Sequence, residues 1–248
     1  YVCEATLNIS SDDVKIQKNN AQTDGGGIYL YHDTNNTGTI EAVINGGFIS
    51  ENVSNGNGGG LYLNNGSLNI LKGTITGNIS KKDGAGAYVY DGIINMSGGN
   101  IEKNTSVGNG AGIYSRANIT MNDGNVKYNK STNGNGGGIY LDNNSNFKFI
   151  NGKVVYNSVT STETPTEGTL AKNSTSGVGG GVYINSGVFS MYDDNNNAGT
   201  GAIYGNTADY SADDLFATGD DTQFDAISVI EMKKSDEYMT SDSWFEDY

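Results

Sequence analysis

One short phrase recurs along this chain: a glycine-rich triplet followed by an aliphatic residue, a tyrosine and, in most copies, a second aliphatic residue. From Tyr62 through Tyr88 and Tyr114 to Tyr140, each step between successive tyrosines is 26 residues long. A fixed period in this range is the signature of a repeat architecture. The tyrosines of the clear copies are Tyr29, Tyr62, Tyr88, Tyr114, Tyr140 and Tyr183.

Two further features follow the same period. Ten residues before most of these tyrosines stands an asparagine, which itself comes three residues after an aliphatic residue. An apolar pair at period two, such as Leu68 and Ile70, lies between each tyrosine and the next asparagine. Each unit therefore contains three strand-length segments separated by Gly/Asn turns. The asparagines are Asn19, Asn52, Asn78, Asn104, Asn129, Asn157 and Asn206.

Three strands in each repeat limit the fold. Units stacked in register pair each strand with its equivalent and form three parallel sheets around one apolar interior. A propeller blade needs four strands and about 40 residues, and leucine-rich repeats need their own consensus. We therefore predict an all-β chain, a three-sheet parallel β-helix of about seven to eight coils over residues 1–230. Residues 231–248 are expected to be an acidic exit segment or cap, and the asparagines a hydrogen-bonded structural ladder.

These phrases resemble a known group of repeats. Gly-Gly-Gly-Ile-Tyr-Leu, coupled to Ile-x-x-Asn and Gly-x-Ile, is similar to the repeats of bacterial surface proteins with a pectin-lyase-like right-handed parallel β-helix. It also resembles the repeats of chlamydial polymorphic outer membrane proteins, a family of adhesins, although a literal Gly-Gly-Ala-Ile is absent. The resemblance implies a right-handed helix and a secreted or cell-surface protein. It says little about activity, because this fold hosts lyases, hydrolases, adhesins and spikes.

Charge and composition narrow the function classes. The net charge is -14, and Arg116 is the only arginine, so nucleic-acid binding is not expected. Cys3 is the only cysteine and His32 the only histidine, which argues against a disulfide framework and a zinc site. No signal peptide or membrane segment is evident. We expect a monomeric, extracellular or cell-surface fragment of a larger exported protein, without membrane contact of its own.

The residues of known enzymes on this fold are not evident. The resemblance implies a basic residue beside calcium-binding carboxylates for a lyase, and no acidic cluster shares the repeat position of Arg116. Of the phrases that the hydrolases carry, only Asp-Asp is present, and adjacent residues of a strand face opposite sides. We therefore expect no enzyme, no catalytic residue and no metal. A polysaccharide lyase or glycoside hydrolase is the alternative.

Two candidate binding features remain. The run from Asp193 to Asn197 offers oxygen ligands, so calcium is the one cofactor left open, although the run lacks a dedicated loop pattern and suits an ordinary polar turn. In Ile-Tyr-Leu the aliphatic residues flank the tyrosine, so interior aliphatics turn the tyrosine outward. The six tyrosines then form a column, either as stacking between coils or as a platform for sugar rings or a protein partner. The expected function is a non-catalytic adhesin or stalk that binds host or matrix glycans or proteins.

Overall fold

The chain folds into a succession of short parallel strands. The computed structural model describes residues 2–3, 5–32, 40–142, 145–162, 176–191, 195, 197–209, 213–217 and 223–225. These residues contain β-strands and no helix, and the strands form three parallel sheets stacked coil upon coil. The predicted right-handed parallel β-helix is therefore confirmed. The segment 231–248 and most of the run from Asp193 to Asn197 lie outside the described residues.

The first sheet, called sheet 1, carries the repeated tyrosines. Its strands, in spatial order, are β1 (Val2–Cys3), β5 (Ile28–Tyr31), β8 (Leu61–Leu63), β11 (Ala87–Val89), β14 (Ile113–Ser115), β17 (Ile139–Leu141), β21 (Val182–Ile184) and β25 (Leu215–Ala217). Each strand is parallel to its neighbours, and repeat equivalents pair directly: Tyr88 lies between Tyr62 and Tyr114. The 26-residue period is therefore the length of one coil.

Sheet 2 follows sheet 1 within each coil and contains the longest strands. Its main series is β2 (Thr6–Ile9), β6 (Glu41–Ser50), β9 (Ser67–Thr76), β12 (Ile93–Glu102), β15 (Asn118–Lys127), β18 (Phe147–Phe149), β22 (Val188–Ser190) and β26 (Gln223–Asp225). Beside this series lie β3 (Lys15–Gln17), β19 (Lys153–Val155) and β23 (Ala202–Tyr204). The ten-residue strands shift register at their centre, between Ile44 and Phe48 in β6 for example, where the chain bends around the core.

Sheet 3 consists of two-residue strands that close each coil. They are β4 (Asn20–Ala21), β7 (Val53–Ser54), β10 (Ile79–Ser80), β13 (Thr105–Ser106), β16 (Lys130–Ser131), β20 (Ser158–Val159) and β24 (Thr207–Ala208). One ladder asparagine precedes each of them, so the asparagines occupy the corner between sheet 2 and sheet 3. The glycine phrases then lead from sheet 3 back to sheet 1.

The interior is a continuous apolar core. It is lined by the aliphatic residues that alternate along each strand, and Leu61, Leu63 and Leu68 are fully buried in it. In the later coils Phe147, Phe149 and Phe189 fill the same space. The glycines before sheet 1 allow backbones to approach closely: a Cβ atom added at Gly59 would lie 2.5 Å from the Ile79 carbonyl oxygen.

Candidate functional site

The seven predicted asparagines lie one above another at the corner between sheets 2 and 3. The Oδ1 atom of Asn104 accepts hydrogen bonds from both the backbone N–H and the Nδ2 of Asn78, each at 3.0 Å. Its own Nδ2 donates to Asn129 Oδ1 at 2.9 Å and to the Ile75 carbonyl at 3.0 Å. Asn52, Asn78, Asn129 and Asn157 repeat this arrangement. Every hydrogen-bonding group of these buried amides is therefore used to join adjacent coils.

The two ends of this ladder differ. Asn19, in the first coil, is exposed and donates its Nδ2 to Asn52 Oδ1 at 2.8 Å. At the other end Asp214 takes the place of a further asparagine, and its Oδ1 accepts from the backbone N–H and Nδ2 of Asn206 at 3.2 and 2.8 Å. Asp214 is buried, and this burial raises the pKa of its carboxyl group although the bonds from Asn206 oppose the shift. Asp214 follows no repeated phrase of the sequence, and its capping role was not predicted.

A second ladder lies beside the glycine phrases and was also missed. The side-chain oxygen of an Asp or Asn in one coil accepts the backbone N–H of the equivalent residue in the next. These contacts run from Asp24 through Asn57, Asp83, Asn109 and Asn135 to the N–H of Val178, at 2.6 to 3.2 Å. Burial raises the pKa of Asp83, partly offset by its bond from Asn109. These contacts need only an acceptor oxygen, so either Asp or Asn can occupy each of these positions.

The repeated tyrosines form a single stacked column on the outer side of sheet 1. Neighbouring ring centroids are 4.7 to 5.1 Å apart, and the ring planes deviate by at most 8°. These rings belong to a cluster separate from the interior core, so they point outward as predicted. Stacking nevertheless covers their faces: Tyr62, Tyr88, Tyr114, Tyr140 and Tyr183 are only 7 to 9% exposed. Tyr29 and Phe216 extend the column at its two ends.

Burial changes the chemistry of the column. Removal of the phenols from water raises the pKa of Tyr88 to about 12, and nearby Asp83 adds to this shift. The pKa values of Tyr62, Tyr114 and Tyr140 are also raised, chiefly by burial. For an acid whose pKa is higher in the folded state, stability is present below the unfolded pKa and is lost as the pH rises. The column is therefore stable as neutral phenols.

A row of varied side chains borders the column two residues after each tyrosine. Tyr90, which is exposed, lies under the guanidinium of Arg116, whose Cζ is 4.5 Å from the ring centroid. Asp142, one coil beyond Arg116, accepts a hydrogen bond from the Tyr114 hydroxyl at 2.9 Å and another from Asn185 Nδ2 at 2.9 Å. We call Tyr90, Arg116, Asp142 and Asn185 the flanking row. A single carboxylate, that of Asp142, thus occupies the repeat position of Arg116 one coil further along the chain.

The flanking row combines groups that suit a polar, ring-shaped ligand. An arginine, a carboxylate and an amide offer both donors and acceptors, and Tyr90, 44% exposed, offers an aromatic surface. Backbone hydrogen bonds at 2.9 Å hold the row in register, such as Arg116 N to Val89 O and Asp142 N to Ser115 O. The Nε of Arg116 is buried and has no partner within the described residues.

No family model, curated protein or solved structure was found to match this chain. The function must therefore be argued from the geometry alone. Among the described residues, no group of three or more His, Cys, Asp or Glu side chains is placed to hold a metal ion. Within the same ranges, no helix is long and apolar enough to cross a membrane.

Proposed function

We propose that this chain is a non-catalytic β-helical domain of a secreted or cell-surface bacterial protein, acting as an adhesin or stalk that binds glycans. The observation that supports this proposal best is the outer side of sheet 1, where a rigid aromatic column carries the flanking row. Sugar-binding sites combine aromatic surfaces with a few fixed polar groups. In this proposal Tyr90 contacts a sugar ring, while Arg116, Asp142 and Asn185 bind its hydroxyl groups.

The tyrosine column has a supporting part in this proposal. Its ring faces are already covered by one another, so the six tyrosines form the floor on which the flanking row is fixed, and a ligand contacts their outer edges. A site fixed by stacked rings and backbone register loses little conformational entropy on binding. Such pre-organisation suits a binding module that must hold a repeating glycan without changing shape.

The alternative is a polysaccharide lyase or glycoside hydrolase, and one observation favours it: Arg116 and Asp142 occupy the same repeat position in successive coils. Against it, Asp142 already accepts hydrogen bonds from Tyr114 and Asn185, and Arg116 lies over Tyr90. Incubation with pectin, alginate and host glycans distinguishes the two. Release of unsaturated or reducing sugar ends by the parent chain, and the loss of this release in Arg116→Gln, would support the enzyme. The same result would refute the non-catalytic proposal.

A glycan array tests binding directly. The parent chain should be retained on a defined set of unsulfated glycans, and Arg116→Gln and Asp142→Asn should each weaken that binding at least tenfold. Lys15→Gln is the matched control, because it removes one positive charge from exposed sheet 2 rather than sheet 1. Equal binding by all variants, or no retention of the parent on any glycan, would refute the proposal.

A further inference from the structure

A second exposed aromatic group lies at the corner between sheets 2 and 3, away from the flanking row. Tyr128 and Tyr156 occupy the same turn in successive coils, with ring centroids 5.3 Å apart and planes 11° from parallel. The ring of Tyr204 meets Tyr156 edge-on, at 5.7 Å and 83°. Unlike the column of sheet 1, these rings are open to solvent: Tyr128 is 50% and Tyr156 47% exposed.

The backbone beneath these two rings is strained. Tyr128 and Tyr156 have φ angles of 56° and 55°, in the left-handed region that bulky side chains rarely adopt. The equivalent turn residue is a glycine at Gly77 and at Gly205. A Cβ atom at Gly205 would lie only 2.7 Å from Tyr156 Cε1, so glycine leaves the space that this ring occupies. The same turn also holds Lys18, Glu51 and Lys103 at φ of 56° to 57°, so it accepts side chains, and the two tyrosines differ from the rest by their large exposed rings.

Three lysines lie near the exposed tyrosines in sequence and in coil register. Lys103 occupies the turn position of Tyr128 one coil earlier, Lys130 follows Tyr128 by two residues, and Lys153 precedes Tyr156 by three. These three lysines are exposed, and within the described ranges no ion pair is formed by any of them. The nearby Lys127 is neutralised by Glu102, at 3.2 Å. The patch is therefore positive, in a chain whose net charge is -14.

We propose that this corner patch, consisting of Tyr128, Tyr156, Tyr204, Lys103, Lys130 and Lys153, binds a sulfated polysaccharide. The exposed rings supply surfaces for sugar rings, and the lysines supply charge for anionic substituents. Lysine binds such substituents as a point charge, and sulfate esters give a polysaccharide a higher charge density than carboxylates alone. Three lysines that form no ion pair within the described residues are therefore matched best by a heavily sulfated chain. The proposal is independent of ligand binding by the flanking row.

Binding to immobilised heparin, a sulfated polysaccharide, tests the proposal. Lys103→Gln combined with Lys130→Gln should weaken binding at least tenfold, and added salt should weaken binding of the parent by screening. Lys81→Gln combined with Lys82→Gln removes the same charge from the turn that follows β10 of sheet 3, outside the patch, and binding should stay within twofold of the parent. Equal losses in the two pairs would show that heparin binds charge without a site, and would overturn the proposal.

A second pair of variants separates the tyrosines from folding. Tyr128→Gly and Tyr156→Gly restore the residue found at the same turn in other coils, so the circular dichroism spectrum should be unchanged while heparin affinity falls several-fold. Unchanged affinity in this double variant would remove the aromatic part of the site and refute the proposal. Equally tight binding of desulfated heparin, polygalacturonate or a single-stranded oligonucleotide would overturn the assignment to sulfated glycans. No retention of the parent on heparin would also overturn it.

Discussion

Replacement of Asn104 by alanine should destabilise the β-helix from its centre. The side chain is fully buried, and its Oδ1 is the acceptor for two hydrogens of Asn78, one on the backbone N–H and one on Nδ2. Alanine leaves both donors buried without a partner. Each such group costs about 1–3 kcal/mol, so the free energy of unfolding should fall by about 2–6 kcal/mol. The Nδ2 bonds to Ile75 and Asn129 are lost as well.

Asn19→Ala is the matched control for Asn104→Ala. Asn19 belongs to the same ladder but is exposed, and its side chain donates one bond, to Asn52 Oδ1. That oxygen keeps the backbone N–H of Asn19 at 3.1 Å, so no buried group is left unsatisfied. The loss should be below about 1 kcal/mol. Urea unfolding followed by circular dichroism measures both variants, with the slope checked for a change in cooperativity. Equal losses for the two alanine variants would refute the ladder's stabilising role.

Three further predictions concern the aromatic column and the second ladder. Tyr114→Ala should lose stacking on Tyr88 and Tyr140, about 0.5–1.5 kcal/mol for each pair in addition to the lost burial, and thermal unfolding measures the loss. Alkaline titration should unfold the chain above the usual tyrosine pKa of about 10, with ionisation of Tyr88 alone costing about 2–3 kcal/mol; complete titration of the phenol absorbance of all 16 tyrosines before the fold is lost would contradict this. Asp83→Asn keeps the acceptor oxygen and removes a buried charge, so it should raise the melting temperature at pH 7 but not below the unfolded aspartate pKa of about 4. An equal gain at both pH values would exclude ionisation as the cause.

The fold could be predicted because the residues that determine it recur with the same amino-acid type as well as at the same spacing. Glycine, tyrosine and asparagine recur at fixed intervals, and one coil of a parallel β-helix is the length of one interval. The spacing of Ile101 and Asn104 thus indicated both an inward strand residue and a corner asparagine. Nothing beyond local alternation and the common period was needed to place them in successive coils.

The flanking row could not be predicted in this way because its members differ in type. Two residues after successive tyrosines stand Tyr90, Arg116, Asp142 and Asn185, and only the structural register reveals them as one row. The second ladder was hidden for another reason. Asp and Asn oxygens accept the same backbone N–H, and Asp-Gly and Asn-Gly pairs read as ordinary turns. A search for any Asp or Asn before each glycine phrase would have found it.

The capping residue and the corner patch depend on departures from the repeat. Asp214 turns its side chain back to Asn206 only because the next regular asparagine is missing, and a pattern cannot show which residue replaces it. Tyr128 and Tyr156 stand where a turn accepts glycine, lysine or glutamate, so their residue type carried no periodic signal. Such local exceptions to the repeat are expected where a chain has a function beyond folding.

The claim that the outer side of sheet 1 binds a glycan is tested most directly by mapping the contact itself. Amide resonances of the isotope-labelled chain should be followed by NMR during titration with a glycan retained on the array. With an unsulfated glycan as the probe, which the corner patch does not favour, shifts should be concentrated at Tyr90, Arg116 and Asp142, with the core strands of sheets 2 and 3 unchanged. Shifts confined to sheets 2 or 3, with sheet 1 unaffected, would contradict it.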